Sequence, residues 1–133
     1  MIKLNIIKKP LFEMANLRTA TTGQPFDFWV DEAGSTRKVE HNLPRFKVTA
    51  NNVDLDIMLL KNKPFIVNNN ERVIQKFKYS KQALMFVSDF YLPLMLHWNG
   101  DIDTGQLSAI MRLVHKKNLT VAEATDAVLN DNY

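Results

Sequence analysis

Twelve of the sixteen residues from Ala83 to Trp98 are apolar, from Ala83, Leu84, Met85, Phe86 and Val87 to Leu94, Met95, Leu96 and Trp98. The run is apolar on every side of a helix rather than along one stripe, so it needs cover over most of its surface. It is shorter than the roughly 20 residues that a bilayer requires. Asp89, Pro93 and His97 also interrupt it. The run therefore predicts a buried helical segment at the centre of a globular fold, not a membrane anchor. Both Leu84 and Phe86 are expected in the core. Pro93 removes a backbone donor and disfavours helical geometry at Leu92. A helix is thus expected from about Lys81 to Leu92, with Ser80 as its N-cap. A shorter helical turn follows, ends near Trp98 and is stopped by Gly100.

Such a run needs partners to cover it, and the rest of the chain supplies them. With 133 residues, 46% hydrophobic and 23% charged, the chain suits one domain, residues 1–133, with a core that needs no disulfide or metal. There is no cysteine, which excludes a disulfide framework, thiolate metal sites and a cysteine nucleophile. At the N-terminus Ile2, Leu4 and Ile6 alternate with Lys3 and Asn5, and Lys8 and Lys9 follow. A signal peptide has its charges first, so a cytoplasmic location is the expectation.

Period-two alternation dominates the first half. Residues 2–7 read as a strand. Leu11, Met14 and Leu17 have helical spacing, although the stretch ends in Thr-Ala-Thr-Thr. Phe26–Glu32 reads as a strand with Phe26, Phe28 and Val30 on one side. Arg45–Ala50 and Val53–Leu60 alternate around Asn51-Asn52, a pair that tolerates positive φ, and predict a β-hairpin. Lys61–Pro64 reads as a turn, Phe65–Val67 as a short strand and Asn68–Asn70 as a further turn. Val73, Ile74 and Phe77 form a last strand or the approach to the helix. Beyond Gly100 the pattern is helical. Leu107, Ile110, Met111 and Val114 share a face, and Thr120 with Glu123 forms a capping box for a last helix carrying Val121, Ala124 and Val128. The expected fold is α+β: an antiparallel sheet from the first 78 residues, packed on the buried helix and followed by two C-terminal amphipathic helices.

The chemistry-bearing residues are sparse. Asn99-Gly-Asp101-Ile-Asp103-Thr-Gly105 has the look of a calcium loop but lacks the glycine and the closing glutamate at the required positions. Asp103 or Thr104 as a helix cap accounts for it better. His41, His97 and His115 share no metal-ligand spacing. No phosphate-binding glycine loop and no G-x-S-x-G are present, so no cofactor or metal is implied. Asp54 and Asp56 lie two apart on one strand face, where paired carboxylates can do acid–base work. Arg45 and Lys47 on the neighbouring strand would pair with them instead. The charge is uneven: residues 1–82 carry 14 Lys/Arg and 8 Asp/Glu, residues 83–133 carry 3 and 6. Within the basic half, Arg72, Lys76, Lys78 and Lys81 interleave with Phe77 and Tyr79. Lysines on phosphates and rings on bases would make that stretch a nucleic-acid site. The competing reading puts Phe77 in the core and the lysines in water.

The stretch Glu40-His41-Asn42-Leu43-Pro44-Arg45-Phe46-Lys47-Val48 resembles the E-H-x-P-P-H-F-H-V segment of a small, uncharacterised bacterial and phage family. The resemblance spans about residues 26–107. It includes a strand like Phe26–Val30 before the segment and His97-Trp98-Asn99-Gly100 near its end. It implies hairpin strands, a helix and a link to mobile elements, since family members often neighbour genes of the toxin–antitoxin kind. It implies no established activity. Arg45 and Lys47 stand where the family has histidines, so of that segment's histidines only His41 carries over.

These readings converge on a non-enzymatic protein-interaction module, phage or mobile-element encoded, with a protein partner. Nucleic-acid binding through the basic half is the alternative. A small hydrolase using His41 with Asp54 or Asp56, from the cluster His41, Arg45, Lys47, Asp54 and Asp56, is the third. Self-association is open through Trp29, Met58 or the Ala83–Trp98 run.

Overall fold

The alternating half of the chain folds as a five-stranded antiparallel meander, and the apolar run lies against one face of it. In the computed structural model, residues 14–31, 43–67 and 76–133 are described. In chain order they form β1 (Met14–Leu17), α1 (Thr19–Thr22), β2 (Asp27–Asp31), β3 (Arg45–Ala50), β4 (Val53–Leu60), β5 (Lys63–Ile66), α2 (Ser80–Asp89), α3 (Tyr91–Trp98), α4 (Thr104–Lys117) and α5 (Val121–Leu129). The strands lie in the sheet in sequence order, each antiparallel to the next. The fold is α+β, with the sheet first and the helices after it. The strand expected at residues 2–7, the turn at 68–70, and Val73 and Ile74 lie outside the described residues.

The β3–β4 hairpin has the expected form. Ala50 faces Val53 across the two-residue link, and Asn51 and Asn52 have φ of 52° and 62°. Positive φ at both central residues matches the twist of the flanking strands. Register then sets the faces: Phe46 lies opposite Ile57 and Val48 opposite Leu55, all four buried together with Leu59. A slip of one residue would turn this apolar set to the wrong side.

One open reading of the strands is settled and one expectation needs correction. The stretch around Leu11, Met14 and Leu17, open between helix and strand in the sequence, is decided from Met14 onward; Leu11 lies outside the described residues. Met14–Leu17 is a strand that pairs with β2, Leu17 opposite Phe28, because the sheet edge offers its backbone a ladder and Leu17 a place in the core. Among the described residues of this stretch, helix is found in α1, which ends at Gly23 with φ of 74°. The turn expected at Lys61–Pro64 is only Lys61-Asn62, since β5 already begins at Lys63. Pro64 is tolerated in that strand for a specific reason. The Val67 N–H donates to the Asp56 carbonyl at 2.9 Å. By period two, the Pro64 nitrogen points to the outer edge, where no ladder bond is lost.

The buried run is two helices, but it does not break at its proline. α2 ends at Asp89 and α3 begins at Tyr91, with Phe90 between them. Pro93 therefore falls in the first turn of α3, where its missing N–H has no helical partner to lose. Ser80 is the first residue of α2 and not its cap. Tyr79 holds the cap position without a side-chain bond, and the Ser80 hydroxyl donates back to the Phe77 carbonyl at 2.7 Å. α3 stops as expected at Gly100, φ 83°. The Gly100 N–H donates to His97 and the Asp101 N–H to Leu96, at 3.1 and 2.8 Å, which is the Schellman pattern.

α2 packs on β4 and β5 and inserts Ala83, Phe86 and Val87, with Phe90 beyond its end. Phe86 is the hub: its ring lies 5.0 Å from Phe28, 6.1 Å from Phe26 and 4.7 Å from Phe90, centroid to centroid. Leu84 is half-buried against this core rather than inside it. α4 and α5 begin as expected. Asp103 and Gln106 form a capping box with bonds of 2.7 and 2.9 Å, and Thr120 and Glu123 form a second. α4 packs on α1, α3 and α5, burying Leu107, Ile110 and Met111. Among the described residues no helix is long and apolar enough to cross a membrane.

Candidate functional site

The face of the sheet away from α2 is where the chemistry-bearing strand residues gather. Strand alternation sends every second side chain there, and register lines them up in rows. Asn16, Trp29, Lys47 and Asp56 form one row, Asp27, Thr49 and Asp54 a second, and Met58 with Arg45 on one side and Phe65 on the other a third. The Trp29 indole N–H donates to the Thr49 hydroxyl at 3.1 Å. Arg45 bridges diagonally to Asp56 at 3.2 Å, each side chain about a quarter exposed. Such a pair adds at most about 1 kcal/mol, but it occupies the Asp56 carboxylate. Asp54 is exposed and faces Thr49. Arg45, Lys47, Asp54 and Asp56 are thus brought to one face, in the cross-strand arrangement that pairs cation with carboxylate. His41 lies outside the described residues.

The basic–aromatic stretch is arranged differently. Phe77 is only 3% exposed, with its ring 6.4 Å from Phe26 and 6.1 Å from Tyr79. Tyr79 is half-buried against Phe26, and the Lys78 ammonium sits 5.3 Å above its ring. Lys76, Lys78 and Lys81 are exposed. The rings turn inward to the core and the lysines outward, so Phe77 presents no face to a base. Arg72 lies outside the described residues.

The histidines are dispersed. His97 is buried, its Nε2 2.9 Å from the Thr104 hydroxyl, tying α3 to the start of α4. His115 is exposed on α4 beside Gly23, where a Cβ would run into its ring. Among the described residues no three His, Cys, Asp or Glu side chains are placed to hold a metal ion.

Sequence reasoning missed two residues on the sheet. Leu60 is 51% and Phe65 40% exposed. Met58 and Leu60 lie two apart on β4, and Phe65 is the cross-strand partner of Met58, so the three make one apolar corner on the charged face. The signal was the Leu59-Leu60 doublet: in a strict alternation one of the two must leave the core. The chain matches no family model, no curated protein and no solved structure.

Proposed function

We propose that this chain is a protein-interaction module whose contact surface is the β4–β5 corner of the sheet, centred on Met58, Leu60 and Phe65. The observation that carries the reading is the exposure of Leu60 and Phe65, diagonal neighbours across β4 and β5 that flank Met58 on the face opposite the core. An apolar centre with a charged surround is the usual anatomy of a protein contact. Here the surround is Arg45, Asp56 and Lys63. Side chains rather than strand addition make the contact, since Pro64 removes an outward donor and Lys63 adds charge at the edge. Asp27, Asp54 and Asp56 stand among Arg45, Lys47 and Lys63 on this face, so it offers phosphates no excess of cations.

The test is capture of partners from the native cell by the wild type and by Leu60→Ser/Phe65→Ser. Both positions are exposed, so the variant keeps the wild-type melting curve while losing the captured protein. Equal capture by the two overturns the reading. Tight binding to a mixed-sequence oligonucleotide that collapses with salt points instead to nucleic acid.

A further inference from the structure

α4 and α5 are joined by residues 118–120 and pack against each other as a helical hairpin. Their outward sides carry opposite charge. On α4, Arg112, Lys116 and Lys117 surround a groove of about 230 Å³, floored by Ala109 and Leu113 and closed by Tyr133. No carboxylate side chain lines it. A groove of this size is below the roughly 300 Å³ at which small-molecule sites begin; it suits one apolar side chain flanked by acids. On α5, Ala122, Asp126 and Leu129 fall at i, i+4 and i+7, one face of the helix. All three are exposed, Leu129 at 49%, and Glu123 is exposed beside them. One hairpin therefore carries both a basic groove with an apolar floor and an acidic face with an apolar side chain.

We propose that the α4–α5 hairpin is a self-association surface and that its occupant is a second copy of this chain. Leu129 of one copy enters the groove of the other, and Asp126 meets Arg112 and Lys116. The charge pattern selects the symmetry. A two-fold arrangement that sets α4 of each copy against α5 of the other joins cation to acid twice. An axis that sets α4 against α4 opposes like charges. The first closes as a dimer with two identical contacts. An exposed acidic face beside three cations favours a partner that carries both signs over a polyanion, whose binding rests on phosphate neutralisation. This surface shares no residue with the sheet corner and does not rest on that reading.

Analytical ultracentrifugation from micromolar to millimolar concentration tests the proposal. The wild type dimerises with concentration. Arg112→Glu/Lys116→Glu and Ala122→Lys/Asp126→Lys, all exposed positions, each weaken the dimer by at least about tenfold. An equimolar mixture of the two variants dimerises again, because each reversed groove then meets a reversed acidic face. Thermal melts establish that each variant folds; if one does not, the single changes Lys116→Glu and Asp126→Lys replace the doubles. A wild type that stays monomeric throughout overturns the proposal, as do variants that dimerise like the wild type or a mixture that does not recover. Loss of the dimer in Leu60→Ser/Phe65→Ser with retention in the hairpin variants moves the contact to the sheet and also overturns it.

Discussion

The two helical regions of this protein are specified by different physics. α4 and α5 each start at a capping box, Asp103 with Gln106 and Thr120 with Glu123, and α4 ends at Asn118 in left-handed geometry, φ 57°. Each then lays one apolar stripe on the core. α2 and α3 have no side-chain cap at either start. Their limits and inward faces come from what they pack against. The difference shows that a capped amphipathic helix carries its own boundaries, whereas an apolar run carries only the demand to be covered.

Substitutions can break this contrast. The largest effect is expected at Phe86, wedged among Phe26, Phe28 and Phe90. Phe86→Ala should lower stability by about 3–5 kcal/mol in urea denaturation. Its neighbour Met85 is 56% exposed, and Met85→Ala should stay within about 0.5 kcal/mol. Similar losses at the two positions would mean that packing does not orient α2.

Intermediate effects belong to the caps. Asp103→Ala and Thr120→Ala should each cost about 1 kcal/mol, since each leaves a helix-end N–H without its acceptor. Ser80→Ala should change stability by less than about 0.5 kcal/mol. The hydroxyl's bond to Phe77 is lost, but alanine is the better helix former. A cost at Ser80 matching that at Thr120 would erase the distinction between the two regions.

The smallest effect is a pH dependence confined to α5. Glu123 accepts from the Thr120 N–H, and this bond holds its carboxyl below the ordinary value of 4.5. The folded state binds this proton more weakly than the unfolded state. The contribution is therefore present above about pH 4.5 and lost as pH falls through the lowered folded value. Melting temperatures of the wild type and Glu123→Gln should differ at neutral pH and converge in acid. A constant difference across that range would remove the carboxylate from the cap.

The same division governs the sheet and the candidate site. The β3–β4 register was legible because alternation and an Asn-Asn turn are local signals. β1 was not, because Leu17 fits helical spacing as well as a strand, and only pairing with β2 decides between them. For the site, the gathering of Arg45, Lys47, Asp54 and Asp56 on one face followed from alternation. The exposure of Leu60 was signalled only as one of the Leu59-Leu60 pair, and that of Phe65 was not, since a sequence shows that a residue is apolar and not whether another element reaches it. Phe77 makes a related point: the sequence offers it both a basic surface and the core, and contact with Phe26 places its ring in the core.

The sequence by itself determined the β3–β4 turn, the Thr120–Glu123 capping box, a cap for α4 at Asp103 or Thr104, the stop at Gly100 and the need to bury the Ala83–Trp98 run. Each of these is settled within a few residues, by backbone geometry, a nearby hydrogen bond or hydropathy. The tertiary structure alone decided that the run breaks at Phe90 rather than at Pro93. It also decided that Phe86 is central while Met85 and Leu92 stay outside, and that Arg112, Lys116 and Lys117 meet Tyr133 around one groove. Burial is settled by neighbours distant in the chain, and those neighbours exist only once it has folded.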